Sequence, residues 1–203
     1  MNKVSRINSE NVLLCSDLHL NSENFDITKS FCNWLTKSCC ECPPVERPEW
    51  VLVLGDFFEH WVGDDLLLAK INYDYKDIVD SIRDCFIQLR NLGVSIGIMH
   101  GNRDFLIGEK LLNHLHSCQL DSSVQLISKS KGKILLLHGD ELCTQDTDHQ
   151  NFRKLVNSKE WQSQFISNSI EKRQEIANAI RLKSELGKTV KSNQMMDIDP
   201  HTA

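Results

Sequence analysis

The chain has no long apolar run, no apolar segment among its first residues and no excess of basic residues. Its longest apolar stretches fall far short of the ~20 residues that a membrane-spanning helix needs, and residues 1–6 are mostly polar. We therefore expect a cytoplasmic protein. The 23 basic and 28 acidic residues give a formal net charge of -5. This balance argues against a nucleic-acid partner, because attraction to phosphate requires a basic surface.

The sequence also lacks paired CxxC clusters, although it contains eight cysteines. Four of them lie in or beside apolar runs: Cys15, Cys85, Cys118 and Cys143. A free thiol in such a run packs as a small hydrophobe, so we expect reduced cysteines. Three others, at positions 39, 40 and 42, fall in the segment from Ser38 to Trp50, which its prolines predict to be a loop. Zinc binding there is an alternative that the missing second cluster disfavours.

With 203 residues, 40% of them hydrophobic and 25% charged, the chain is long enough for one domain with a substantial core. Apolar runs alternate with helical patterns, which predicts an α/β fold with largely parallel strands in the first half. In the clearest helical pattern Ile78, Ile82, Phe86 and Leu89 share one face, and Gly93 ends the helix. Phe31, Trp34 and Leu35 mark a shorter helix.

Four apolar runs each end in a residue type that binds metals. Residues 12–14 precede Asp17 and His19, residues 51–54 precede Asp56, residues 94–99 precede Asn102, and residues 134–137 precede His138. Such runs are typical of strands buried on both faces, and in these sheets ligands bind beyond the carboxyl ends of the strands. We therefore predict that these five polar residues converge on one place: Asp17, His19, Asp56, Asn102 and His138.

Carboxylate, amide oxygen and imidazole are the ligands that hard and borderline divalent cations prefer, and this set contains no sulfur. A central carboxylate can bridge two cations ~3.5–4 Å apart, which activate a water and neutralise phosphoryl charge. Asp56, alone on its loop, is the candidate for that bridge. Any one of these motifs could instead be structural, with a buried Asp or His satisfying backbone groups. The four motifs in this order predict a metal-dependent hydrolase.

These segments resemble the calcineurin-like metallophosphoesterase family, whose pattern runs Asp-x-His, Gly-Asp, Gly-Asn-His or Gly-Asn-Arg, then His. The resemblance is carried by residues 16–20, 55–65, 101–108 and 138–144. It implies an α/β fold, a metallophosphoesterase β-sandwich flanked by helices, with a helical lid insertion. We expect the core at residues 1–150, the lid at 151–192 and the start of a further part of the core at 193–203. The alternative for the lid is that its apolar residues pack on the sheet.

The segments are most similar to the branch of that family that acts in lipid A biosynthesis. This resemblance implies hydrolysis of the pyrophosphate bond of UDP-2,3-diacylglucosamine to UMP and 2,3-diacylglucosamine 1-phosphate. It implies two Mn²⁺ ions, one held by Asp17, His19 and Asp56, the other by Asp56, Asn102 and His138. Asn102 and Arg103 would act on the phosphate as catalytic residues. Arg103 could instead form a surface salt bridge with Asp104.

The same resemblance assigns four residues near the end of the chain to the glucosamine and phosphate part of the substrate: Asp146, Ser184, Lys188 and Lys191. The lid would form a groove for acyl chains and expose Trp161, Phe165 and Ile170. The protein would then lie at the cytoplasmic face of the inner membrane of a Gram-negative cell, as a peripheral protein with no obligate protein partner.

The sequence departs from the family at its end, where a Gly-His-Thr-His motif and further strands are expected and the chain stops at Ala203. Two metal-binding histidines and the closing strands would then be missing. Two other functions are alternatives, and the missing histidines favour only the second of them. One is a pyrophosphatase for a soluble nucleotide such as ADP-ribose, and the other is a non-catalytic remnant that binds its ligand without turnover.

Overall fold

The computed structural model describes residues 3–68, 75–190 and 197–199, without the side chains of residues 187–190. The chain forms two compact units, residues 1–138 and 139–203. The first unit contains the strands and three helices: β1 (Val4–Asn8), β2 (Val12–Cys15), α1 (Phe25–Leu35), β3 (Trp50–Leu54), α2 (Lys76–Asn91), β4 (Ser95–Met99), α3 (Glu109–His114), β5 (Cys118–Ser128) and β6 (Gly132–Leu137). The second contains α4 (Thr147–Val156), α5 (Lys159–Ile166) and α6 (Ile170–Val190).

The strands pair in the order β1-β5-β4-β3-β2, and β6 pairs with β5. All pairs are parallel except β5 with β6. β3 lies between β4 and β2. After Trp50 it consists of branched aliphatics, and Val51, Leu52 and Val53 are fully buried, as expected for a strand covered on both faces. The prediction of an α/β fold with a mostly parallel sheet is confirmed.

The fourth predicted strand differs from expectation. It begins at Gly132, runs antiparallel to β5 and leaves Ile134 and Leu135 exposed, so the prediction of a strand buried on both faces is wrong. His138, which follows this strand, still lies near the other predicted metal ligands because β5 extends beyond β4. β4 pairs with the start of β5, whereas β6 returns along the rest of β5 and ends with Leu137 opposite Ser123.

The predicted helical pattern of α2 is confirmed, since its four apolar positions are all buried. Gly93 ends the helix with φ 85°, and its N–H donates to the Arg90 carbonyl at 3.0 Å. α1 covers the neighbouring surface, and the Phe57 ring joins the two helices. Its centroid lies 5.8 Å from the Phe31 ring of α1 and 6.2 Å from the Phe86 ring of α2. This aromatic layer fixes the loop that follows β3 beneath the helices.

Two predicted boundaries shift. The predicted loop from Ser38 begins three residues later, because a π-helical turn over Thr36–Cys40 continues α1 ahead of the prolines. Helix α4 begins at Thr147, four residues before the predicted start of the helical region, because Asp146 caps it and accepts a hydrogen bond from the His149 N–H at 3.0 Å.

In the second unit, the Trp161 and Phe165 rings of α5 stack at 4.8 Å. Phe165 is buried, so the prediction that it is exposed is wrong; Trp161 and Ile170 are half-buried. The large apolar side chains exposed on these helices are instead Leu155, Ile166, Leu182 and Leu186. Across the three described ranges, we find no helix with the length and apolar composition to cross a membrane.

Candidate metal centre

The loops that follow β2 and β3 are joined beyond the ends of the strands. The Asp17 N–H donates to the Gly55 carbonyl at 3.2 Å, and the His19 N–H donates to the Asp56 carbonyl at 3.0 Å. These bonds continue the parallel pairing of the two strands into the loops. As a result, the side chains of Asp17, His19 and Asp56 each offer a ligand atom, and these atoms lie within 4.8 Å of one another.

The backbone is unusual at the same three residues. Asp17, His19 and Asp56 have φ angles of 55°, 48° and 50°, in the left-handed region that non-glycine residues rarely adopt. Such a conformation costs on the order of 1–3 kcal/mol per residue and persists only where the surrounding structure enforces it. Its occurrence at three adjacent predicted ligands indicates that the loops hold these side chains in one fixed arrangement.

Asp56 lies at the middle of the site, and its two carboxylate oxygens face different histidines. Oδ2 is 3.8 Å from His19 Nε2, and Oδ1 is 3.8 Å from His138 Nε2. Oδ1 also accepts a hydrogen bond from the Arg103 N–H at 3.0 Å. Burial raises the pKa of Asp56, while His138 and the Arg103 N–H act in the opposite direction. The geometry is that of a carboxylate shared between two half-sites.

His138 is oriented by a backbone carbonyl. Its Nδ1–H donates to the Leu54 oxygen at 2.8 Å, which directs Nε2 toward Asp56 and toward the Asn102 side-chain amide, 3.4 Å away. A ring nitrogen bound in this way fixes the orientation and tautomer of a metal-binding histidine. His19 completes the other half-site, with its Nε2 4.0 Å from Asp17 Oδ1.

Two glycines make room for these contacts. A Cβ on Gly101 would lie 2.1 Å from Asp56 Oδ1 and 2.2 Å from the Asp56 backbone nitrogen. A Cβ on Gly55 would lie 2.5 Å from His138 Nδ1, and Gly55 has a φ of 95°. No other residue type fits either position without moving the site.

Glu59 belongs to the site although the sequence analysis gave it no role. Its buried carboxylate is ion-paired with the Arg103 guanidinium through Oε1, and its Oε2 lies 3.4 Å from His19 Nδ1. The signal in the sequence was an acidic residue within an apolar run, between Phe58 and Trp61. A buried charge in such a run requires a partner. Glu59 therefore connects the Arg103 and His19 side chains.

Asp104 is the second residue whose role was missed. It is fully buried, and it accepts hydrogen bonds from the backbone N–H groups of Gly101, Phe57 and Phe58 at 2.8, 2.7 and 3.2 Å. The alternative of a surface salt bridge between Arg103 and Asp104 is therefore wrong. Burial, with the nearby Asp56 charge, raises the pKa of Asp104 to about 7. The hydrogen bonds that Asp104 accepts connect the loop after β3 to the loop after β4.

The donor set in the first unit fits a divalent cation. Two oxygen or nitrogen ligands bound ~2.1 Å from one ion lie ~3–3.5 Å apart, close to the separations of 3.8–4.0 Å between His19 and its carboxylate neighbours. The atoms are carboxylate oxygens and imidazole nitrogens, which suit hard and borderline cations. Asp17, His19 and Asp56 could hold one ion, and the other face of Asp56 presents the same kind of donors.

The remaining predicted residues belong to the second unit. Asp146 is buried and caps α4, and Ser184 is exposed on α6. Lys188 also lies on α6, but its side chain is outside the described part of the structure, and Lys191 lies outside the described residues altogether.

The sequence profile of the calcineurin-like phosphoesterase family matches residues 10–183 of this chain. Among curated proteins, the chain is similar to the UDP-2,3-diacylglucosamine hydrolase of Chromohalobacter salexigens, with 35% identity over 93% of this chain and 70% of the relative. The hydrolase of the same name from Cellvibrio japonicus is 33% identical over 94% of this chain and 73% of its own. The hydrolase of the same name from Haemophilus influenzae strain Rd is 38% identical over 91% of this chain and 71% of its own length.

Proposed function

The chain belongs to the calcineurin-like phosphoesterase family, and on that basis we propose that it hydrolyses UDP-2,3-diacylglucosamine in lipid A biosynthesis. Water attacks the phosphorus on the uridine side of the pyrophosphate and releases UMP and 2,3-diacylglucosamine 1-phosphate. Relatives with this substrate in their names support the proposal. The structural observation that supports it most is Asp56, whose two oxygens face the separate histidines His19 and His138.

The proposal includes two Mn²⁺ ions. Asp17, His19 and Asp56 would hold one, and Asp56, Asn102 and His138 the other. When bound, such a pair supplies Lewis acidity that activates a water and neutralises charge on the phosphoryl group. The residues of this chain set the positions: the Leu54 carbonyl orients the His138 ring, and the left-handed backbone of the two loops fixes Asp17, His19 and Asp56.

Arg103 and Asn102 are proposed to act on the phosphate itself. Guanidinium is permanently charged and planar, and phosphoryl oxygens gain charge in the transition state. The pairing with Glu59 holds the Arg103 side chain against the β3 loop, where it is only 17% exposed. A charge fixed in this way needs little reorganisation during the reaction, so Arg103 would stabilise the transition state more than the bound substrate.

The assignment of Asp146, Ser184, Lys188 and Lys191 to the glucosamine phosphate half of the substrate stays a prediction. Alanine at each position should raise KM for the diacylated substrate more than it lowers kcat, because these residues would bind a part of the substrate that does not react. The same four variants should leave the affinity for Mn²⁺ unchanged, as measured by calorimetry. A variant that loses metal instead would contradict the assignment.

We further propose that the protein attaches to the cytoplasmic face of the inner membrane, where a diacylated substrate resides. Leu182 and Leu186, one turn apart on α6, are 65% and 70% exposed and would contact the lipid. Serine at both positions should reduce sedimentation with vesicles of phosphatidylethanolamine and phosphatidylglycerol. The matched control replaces exposed Val45, which belongs to the first unit, and should sediment as the unsubstituted chain does. Equal sedimentation of the unsubstituted chain, the double serine variant and the Val45 control would contradict attachment through α6.

The substrate is tested by comparing kcat/KM for UDP-2,3-diacylglucosamine and ADP-ribose with Mn²⁺ present. We expect a preference of at least ~100-fold for the diacylated substrate, because the buried acyl chains contribute binding that ADP-ribose lacks. In water enriched in heavy oxygen, the label should appear in UMP and be absent from the sugar phosphate. Equal rates on both substrates would favour the soluble nucleotide pyrophosphatase, and label in the sugar phosphate would contradict the proposed point of attack.

A further inference from the structure

A pair of cysteines lies between α1 and α2, away from the candidate metal centre. The Cys32 thiol of α1 lies 3.8 Å from the Ser81 carbonyl oxygen of α2, and the Cys85 thiol of α2 lies 4.0 Å from the Cys32 carbonyl oxygen. Each sulfur thus reaches the backbone of the opposite helix. Ser81 and Cys85 are one helical turn apart, so the two thiols lie at the same level of the helix contact.

Both cysteines line one groove between the helices. The groove has a volume of about 380 Å³, and its walls include Phe25, Asn33 and Gln88. Cys32 is half-buried, whereas Cys85 is 6% exposed. Cys32 is therefore the more accessible of the two to a small molecule that enters the groove. This is the arrangement of an attacking thiol and a resolving thiol.

The pKa shifts favour the same roles, with Cys32 as the attacking thiol and Cys85 as the resolving thiol. The hydrogen bond with Cys85 lowers the pKa of Cys32, and the same bond, with burial, raises the pKa of Cys85. Burial raises the pKa of Cys15 to about 12 and that of Cys39 to about 11. Among the cysteines whose pKa is shifted, Cys32 alone is moved toward the reactive thiolate.

We propose that Cys32 and Cys85 form a redox-active pair that closes to a disulfide between α1 and α2 when the protein meets a hydroperoxide. The Cys32 sulfur attacks one peroxide oxygen, the O–O bond breaks, and the departing oxygen leaves as water in the case of hydrogen peroxide. The Cys85 sulfur then attacks the sulfenic acid on Cys32, and the S–O bond breaks to release a second water. The two thiols lose two electrons and two protons, and the peroxide is reduced to two waters.

The disulfide would bridge two helices that are separated in the chain by β3 and the loop that carries Asp56. It would close a loop of residues 32–85, which restricts the unfolded chain and stabilises the folded one. The oxidised protein should therefore unfold at a higher temperature than the reduced protein. This inference does not depend on the proposed substrate.

The sequence offers a clean assay. Trypsin places Cys32 in the peptide 30–37 and Cys85 in the peptide 84–90, each with a single cysteine, whereas Cys39, Cys40 and Cys42 remain together on another peptide. After stoichiometric hydrogen peroxide, we expect a mass loss of about 2 Da and a cross-linked pair of peptides 30–37 and 84–90. Dithiothreitol should restore both free peptides.

Cys32→Ser should abolish the cross-link and the rise in unfolding temperature. The matched control is Cys40→Ser, because Cys40 lies on the turn that follows α1 and is close enough to influence the Cys85 thiol. This control should form the cross-link as the unsubstituted chain does. Peptide mapping of the unsubstituted chain needs no variant, so a misfolded variant cannot decide the result. Cross-links from Cys85 to residues 39–42, sulfinic acid on Cys32 without a cross-link, or unreacted thiols would each overturn the proposal.

Discussion

Replacing Glu59 by glutamine removes the negative charge that the Arg103 guanidinium contacts inside the first unit. The two side chains are 7% and 17% exposed. Breaking a buried ion pair by removing one partner costs about 3–5 kcal/mol, and a hydrogen bond to a charged group is worth about 1.5–3 kcal/mol. Glutamine keeps an acceptor but not the charge. We therefore expect Glu59→Gln to lower the free energy of unfolding by about 2–3 kcal/mol.

Urea denaturation at a fixed, saturating Mn²⁺ concentration measures this change. With a slope of about 2 kcal/mol per molar urea, the midpoint should fall by about 1–1.5 M. The control is Asp26→Asn, which removes a carboxylate 2.9 Å from Lys29 on the surface, where the side chains are 86% and 61% exposed. An exposed pair contributes at most about 1 kcal/mol, so this midpoint should fall by less than about 0.5 M.

A double-mutant cycle separates the pair from general damage to the fold. Arg103→Gln should lower the free energy of unfolding less in the Glu59→Gln background than in the unsubstituted chain, with a coupling energy of at least ~1.5 kcal/mol. Additive effects, or a Glu59→Gln midpoint equal to that of Asp26→Asn, would refute the role of Glu59 as the partner that holds Arg103.

Three further predictions concern the site and the sheet. Gly101→Ala places a Cβ 2.1 Å from Asp56 Oδ1, so calorimetry should find Mn²⁺ bound at least ~10-fold more weakly; unchanged affinity would contradict the described packing. Mn²⁺ at 100 times its dissociation constant should stabilise the folded chain by about 2.7 kcal/mol for each site that it fills, and a chelator should reverse the effect. Hydrogen bonds from the turn after β5 lower the pKa of Glu10 from 4.5 to about 2, so its stabilising contribution is complete above pH 4.5 and is lost as the pH falls toward 2. Glu10→Gln should therefore show a smaller loss of thermal stability than the unsubstituted chain between pH 5 and pH 3, and parallel curves would count against it.

The predicted convergence of the five ligand residues rested on where strands end, and for the first three strands this reasoning was sound. The mainly apolar runs before Asp17, Asp56 and Asn102 form β2, β3 and β4, which are adjacent and parallel. Their carboxyl ends therefore meet at one edge. The predicted burial on both faces is wrong for β2, which lies at the edge of the sheet and leaves Leu14 exposed. For His138 the expected reason was wrong, since its strand is antiparallel and partly exposed.

The strands β1 and β5 and the residue Asp104 could not be predicted from local sequence pattern. β5 has a polar stretch, Asp121 to Ser123, with no continuous apolar run, and its place depends on neighbours distant in the sequence. Asp104 is recognisable only when its burial is known, because its partners are backbone N–H groups of residues about 46 positions earlier as well as Gly101. Such partners leave no periodic signal in the sequence.

The release of UMP from UDP-2,3-diacylglucosamine by the purified chain with Mn²⁺, compared with Asp56→Asn and with Asp26→Asn, is the most direct test of the hydrolytic centre. Asparagine keeps the shape of Asp56 but removes the charge that its two oxygens present to the two half-sites. We predict turnover by the unsubstituted chain and by Asp26→Asn, and a loss of at least ~100-fold in Asp56→Asn. A folded Asp56→Asn protein that releases UMP at the rate of the unsubstituted chain, or a folded, Mn²⁺-supplied unsubstituted chain that releases none, would contradict the assignment.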